Sequence, residues 1–184
     1  MRIAVDLDGV LANSMKTWLK IWHEETGQLI EFTELGDWFF WRKLKIDEET
    51  FMRILNKAWE RWVEIPPTED NIGEKVSRLK TLGRIDIVTA RSRNTEKYAI
   101  EWLKHNKISF DKYVWVKNSE AKAELEYDVY IDDSPSLVEM LRNTGKLLLL
   151  YSQPWNRSIR ETFNVKIIKN LDEAYLLLSR RRIF

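Results

Sequence analysis

Six short β-rich runs, Ile3 to Val5, Ile85 to Val88, Tyr113 to Val116, Val129 to Ile131, Leu147 to Leu150 and Val165 to Ile168, alternate along this chain with stretches of helical spacing. Alternation of this kind builds βαβ units, in which consecutive strands lie parallel and helices cover both faces of the sheet. The helical stretches are short and well bounded. Ile72, Val76, Leu79 and Leu82 keep a helical period that stops at Gly83, Leu137, Val138 and Leu141 follow Pro135, and Ala174 to Leu178 form the last apolar stretch. The expected fold class is therefore α/β, a Rossmann-like parallel sheet with flanking helices.

The interval between the first two strands is too long for one crossover. It runs from about Leu11 to Asp70 and holds two helices of its own. In the first, Met15, Trp18, Leu19 and Trp22 share a face closed by Gly27; in the second, Phe51, Ile54, Leu55, Ala58, Trp59 and Trp62 do so, with Asp47 placed as N-cap. Six of the nine tryptophans fall here, and Ile65-Pro66-Pro67 begins the return. The reading is of a small aromatic-rich helical cap over residues 14–70, inserted after the first strand of a core made of residues 1–13 and 71–184. Tryptophans at helical spacing are mostly core, so one or two of the six are expected to meet a ligand. The terminal Arg180 to Arg182 run reads as a solvated helix end.

Composition narrows the function classes. Thirty basic and twenty-nine acidic residues leave a net charge of +1, so any anion must be bound by a local site rather than by a global field. The absence of cysteine excludes disulfides, thiolate metal sites and cysteine nucleophiles. No apolar run suits a signal peptide or a membrane span, which makes a cytoplasmic enzyme with no membrane partner the expectation.

The chemistry lies at strand ends. In Val5-Asp6-Leu7-Asp8-Gly9-Val10 a buried strand ends in two carboxylates one residue apart, followed by a glycine that permits a sharp turn. The Ile85 to Val88 strand ends at Thr89, and Val129-Tyr130-Ile131 ends at Asp132-Asp133-Ser134. Ligands of open parallel sheets bind beyond the carboxyl ends of the strands, so three strands bring oxygen-bearing side chains to one edge. An aspartate after a strand is commonly a turn former, and Asp8 or Asp132 alone would mean little. Four carboxylates together repel one another without a cation, and carboxylates with substrate phosphate are natural ligands of Mg²⁺. Lys122, within Glu120-Ala121-Lys122-Ala123-Glu124, reads by itself as part of an exposed charged helix.

Asp6-Leu7-Asp8-Gly9-Val10 resembles the first motif of the haloacid dehalogenase superfamily, Thr89 its second, Lys122 its third and Asp132-Asp133 its fourth, in matching order over nearly the whole chain. Within the superfamily the chain is most similar to the 5′(3′)-deoxyribonucleotidase-like phosphatases. The similarity includes the helical cap after the first motif, the ten residues from Lys122 to Asp132, and Tyr151-Ser152-Gln153-Pro154-Trp155-Asn156-Arg157, which is similar to a Pro-Trp-Asn segment common in that family. The run Trp38-Phe39-Phe40-Trp41 resembles the cap region that faces the base, whereas Ala90-Arg91 departs from the Thr-Ser of some relatives.

That resemblance implies a Mg²⁺-dependent phosphomonoesterase. Asp6 would be the nucleophile and Asp8 the acid and base, with Thr89 and Lys122 on the phosphate oxygens. Asp6, Asp8 through its backbone carbonyl, Asp133 and, through water, Asp132 would hold the metal. The substrate is expected to be a small phosphate ester, a nucleoside monophosphate, met by Trp38, Phe39, Trp41, Ala90, Arg91 and Lys97. No stable nucleic-acid partner is expected, and homodimerisation is left open. Four rivals stand beside this reading. Halide cleavage is disfavoured by Asp8 and phosphonate cleavage by the lack of an identifiable cap Schiff-base lysine; a phosphatase of another small ester is the nearest. From a different class, a non-catalytic nucleic-acid-binding module would stack bases on the cap aromatics, against the near-zero net charge.

Overall fold

A computed structural model describes residues 1–181. Six strands form a single parallel sheet: β1 (Arg2–Val5), β2 (Arg84–Thr89), β3 (Lys112–Trp115), β4 (Val129–Asp132), β5 (Leu147–Tyr151) and β6 (Val165–Ile168), in the order β3-β2-β1-β4-β5-β6. All neighbouring strands pair parallel, with Val5 level with Ile87 on one side and Ile131 on the other. Each expected strand is present within a residue or two. Period-2 alternation splits the sheet's apolar side chains between two cores. Ile3, Val5, Ile85, Ile87, Val129, Ile131, Leu147 and Leu149 face one, and Ala4, Val88, Tyr130, Leu148 and Leu150 the other.

Four helices cover the sheet. The first core is closed by α3 (Ile72–Lys80), α4 (Glu96–His105) and α6 (Leu171–Arg181), and the second by α5 (Pro135–Leu141), which starts with proline in its first turn as expected. The chain leaves β1 for β2 and β3 on one side, then returns to place β4 on the other. The sheet therefore has its topological switch point between β1 and β4. Of the Arg180 to Arg182 run, Arg182 lies outside the described residues.

The long segment between β1 and β2 carries α1 (Ser14–Thr26) and α2 (Glu48–Glu60). Gly27 ends α1 in the left-handed region (φ 73°), where its N–H donates to the His23 carbonyl, and the Asp47 carboxylate caps α2 by accepting from the Thr50 N–H at 2.8 Å. The two helices meet through a third apolar cluster. Trp18 stacks on Trp22 at 5.6 Å, Trp41 stacks on Phe51 at 4.2 Å, and the Trp18 indole N–H donates to the Phe51 carbonyl. Ion pairs of Glu25 with Arg53 and Lys57 join the same helices outside. Exposed pairs contribute at most about 1 kcal/mol each, against about 2–3 kcal/mol for one fully buried large side chain, so the aromatic cluster fixes the helix pair.

Candidate active site

Asp6 follows β1 directly and its N–H donates to the Ile131 carbonyl of β4 at 2.9 Å, which places it at the switch point. Asp132 ends β4 and Asp133 follows. Oxygens of Asp6, Asp132 and Asp133 all lie within 4.8 Å of one another, and all three residues are buried. Lys122 sits on a 3-10 turn, Glu120–Glu124, and is 2% exposed, with Nζ 2.6 Å from Asp132 and 3.0 Å from Asp6. The exposed charged helix that its neighbours suggest is thus not formed: the turn buries Ala121 and Lys122 and leaves the glutamates outside. The lysine is drawn in because two carboxylates there would otherwise stand unpaired.

The hydrogen bonds assign each carboxylate a different share of freedom. Asp6 Oδ1 accepts from the Leu7 N–H at 2.8 Å as well as from Lys122, leaving Oδ2 uncommitted. Asp132 is used on both sides, by Lys122 on Oδ2 and by the Ser134 N–H on Oδ1 at 2.9 Å. Asp133 Oδ2 accepts from the Trp155 indole N–H at 3.1 Å, and its backbone carbonyl from Asn156 Nδ2. Gly9 makes this packing feasible. It sits at φ 79°, and a Cβ there would come within 2.0 Å of Asp133 Oδ2.

Three carboxylates face one ammonium, so the cluster has excess negative charge away from water. Burial pushes the Asp6 carboxyl up to about 7, with Lys122 pulling it back and Asp132 and Asp8 adding to the rise. Burial, with Asp6 and Asp132 nearby, holds Asp133 well above the usual carboxylate range. Burial alone would lower Lys122; the attraction of Asp132 and Asp6 more than offsets it and holds the ammonium above its usual value. A divalent cation relieves this excess, and an all-oxygen donor set is the kind that Mg²⁺ takes. The residues therefore fit the metal, with Asp6 and Asp133 carrying the uncommitted oxygens.

Asp8 lies beside this cluster and is more open, with a side chain 25% exposed. Its Oδ1 accepts from the Trp59 indole N–H at 2.8 Å, and its Oδ2 is 3.3 Å from Arg91 Nε. The Arg91 guanidinium lies 3.7 Å over the Trp59 ring, and burial lowers its pKa against the pull of Asp8. Among the described residues, no hydrogen bond reaches its Nε, Nη1 or Nη2, nor the buried hydroxyl of Tyr113. Thr89 is buried at the end of β2, and its hydroxyl oxygen accepts the Arg91 N–H at 3.4 Å.

The aromatic run divides. Phe40 and Trp41 are buried in the cluster between α1 and α2, with a face of Trp41 taken up by Phe51. Phe39 is 42% exposed and has the Arg42 guanidinium over its ring. Trp38 is half-buried with its ring edge-on to Trp155 at 6.4 Å, which links it through Trp155 to Asp133. Lys97 is exposed and lies over its neighbour Tyr98, outside the contacts of the carboxylate cluster, and Ala90 packs against the second core.

Trp59 and Trp155, whose indole N–H groups hold Asp8 and Asp133, carry no such signal in the sequence. Trp59 falls on the apolar stripe of α2 and reads as core, which it also is. Trp155 lies in the Pro-Trp-Asn segment, where only the family resemblance drew attention. Gln153, in the same segment, donates from Nε2 to the Gly9 carbonyl at 2.6 Å.

Among solved structures, a haloacid dehalogenase-like hydrolase from Streptococcus pneumoniae superposes with a TM-score of 0.66 at 16% identity, over 96% of this chain and 97% of that one. CbbY from Rhodobacter sphaeroides in complex with phosphate does so at 0.61 and 15%, over 94% and 95%. A putative hydrolase of the same type from Bacillus subtilis, bound to magnesium, gives 0.58 and 12%, over 96% and 97%. At these identities the likeness shows the fold. No curated protein matches the sequence. The sequence model of the family described as "5′ nucleotidase, deoxy (pyrimidine), cytosolic type C protein" matches residues 1–183, so the chain belongs to that family and is a haloacid dehalogenase-type phosphatase.

Proposed function

We propose that the chain is a Mg²⁺-dependent phosphomonoesterase that works through an aspartyl-phosphate on Asp6 and acts on a nucleoside monophosphate. The observation that carries this is the buried set of Asp6, Asp133 and Lys122 at the switch point, which joins a carboxylate oxygen with no hydrogen bond to a fixed ammonium. Asp6 Oδ2 attacks phosphorus as the bond to the leaving oxygen breaks, and Asp8 gives that oxygen a proton. Asp8 then takes a proton from the water that attacks the same phosphorus, releasing phosphate and restoring Asp6. Lys122 and the Thr89 hydroxyl meet the other phosphate oxygens and stabilise their charge. Asp6, Asp133 and the Asp8 backbone carbonyl would hold Mg²⁺, with Asp132 acting through water, and the ion would supply positive charge against the like charges of nucleophile and phosphate.

The nucleotide part of the reading is supported by the family's description and by Trp38, whose half-buried ring lies one tryptophan away from Asp133. A panel of nucleoside monophosphates and sugar phosphates assayed with Mg²⁺ tests it. Turnover is expected on nucleotides first, to be stopped by chelation and restored by Mg²⁺. Undiminished turnover after exhaustive metal removal would contradict the metal role, and a preference for sugar phosphates the substrate.

A further inference from the structure

Asp8 is followed by Gly9, and two rotatable bonds separate its carboxyl from the backbone. A general acid must reach within about 2.6–3.2 Å of the atom it protonates, so something has to hold this side chain. The hold comes from outside the sheet. Trp59, fully buried on α2 of the inserted segment, donates its indole N–H to Asp8 Oδ1 at 2.8 Å. The same ring lies beneath the Arg91 guanidinium, whose Nε is 3.3 Å from Asp8 Oδ2. One side chain thus touches Asp8 and supports the group that faces its second oxygen.

The ring is itself fixed. It packs edge-on to Trp102 of α4 at 6.2 Å, and the Trp102 indole N–H donates to the Ile65 carbonyl in the return linker. An indole N–H can only donate, so Trp59 holds Asp8 Oδ1 as an acceptor and fixes the orientation of the carboxyl group.

We propose that Trp59 is a positioning residue through which the inserted helical segment sets the Asp8 carboxyl for proton transfer to the leaving group. The proposal rests on the reading of Asp8 as acid and base, and its consequence is that the acid is assembled only while α2 is seated. Loss of the indole N–H should impair transfer to substrates whose leaving oxygen needs a proton and spare those whose leaving group departs as a stable anion.

The test compares kcat/KM for an alkyl phosphate and for p-nitrophenyl phosphate in wild type, Trp59→Phe, Asp8→Asn and the double variant. General acid catalysis contributes about 10²- to 10⁴-fold, so Trp59→Phe should lower the alkyl value by about tenfold or more and the aryl value by less than about threefold. In the Asp8→Asn background it should cause no further fall. Because Trp59→Phe removes volume from a packed site, benzothienylalanine at position 59, which keeps the shape and lacks only the N–H, should give the same pattern. Equal losses on both substrates, or losses that multiply with those of Asp8→Asn, would overturn the positioning role. Full alkyl turnover by Asp8→Asn would instead overturn the acid–base reading beneath it.

Discussion

Asp6 sits in an environment that raises its carboxyl pKa, and this gives the protein in chelator a definite pH dependence. Its carboxyl is raised from 3.8 to about 7 in the fold, chiefly by burial, and Asp133 moves in the same direction. A group with a raised folded pKa leaves stability intact below its unfolded pKa and removes it as pH rises through the folded value. In the presence of chelator the protein should therefore lose stability between about pH 4 and pH 8. Asp6→Asn removes the Asp6 part of that loss, so its metal-free stability should exceed wild type by on the order of 2–4 kcal/mol at pH 8, with little gain at pH 4. Thermal melts of both proteins at the two pH values check this; an equal gain at both would contradict the burial argument. Lys122 keeps Asp132 in the variant, so the ammonium is not left alone.

At the scale of elements, the insertion between β1 and β2 supplies two different aromatic surfaces. Phe40 and Trp41 belong to the core between α1 and α2, whereas Trp38 lies against Trp155 at the edge of the carboxylates. A base stacked on an aromatic ring gains about 1–3 kcal/mol, so Trp38→Ala should raise KM for a nucleotide roughly tenfold and leave KM for p-nitrophenyl phosphate nearly unchanged. Equal effects on the two substrates would remove the base contact. Sequence reasoning reached the strands because β-branched runs ending at Asp6, Thr89 and Asp132 are buried on both faces and carry few competing signals. It passed over α4, although Ala99, Trp102 and Leu103 share its buried face. It also could not separate Trp38 from Trp41, since neither lies on a periodic helix and only the packing of Phe51 decides which ring is covered. Lys122 misled for a related reason: the polarity of its neighbours describes the outside of a turn whose inside holds the lysine.

Taken as a whole, the molecule places its buried carboxylates where the order of a parallel sheet reverses. The chain leaves β1 in one direction and returns to β4 in the other, and Asp6, Asp132 and Asp133 gather at the carboxyl ends of these two strands, where ligands of open parallel sheets bind. The inserted segment meets this site directly through the Trp59 indole N–H of α2 on Asp8, and indirectly through Phe32 and Trp38, whose rings pack edge-on to Trp155, which follows β5 and donates to Asp133. No helix among the described residues is long and apolar enough to cross a membrane. The central claim is that the phosphoryl group passes through Asp6, and trapping it there is the most direct measurement. Asp8→Asn should slow the attack of water but not the departure of an aryl leaving group, so this variant with p-nitrophenyl phosphate and Mg²⁺ should accumulate the intermediate. Acid quenching and peptide mapping should then find the phosphoryl group on the peptide that contains Asp6, convertible by borohydride reduction to homoserine at that position. Release of p-nitrophenol with an unmodified Asp6, or with the phosphoryl group on another residue, would contradict the account.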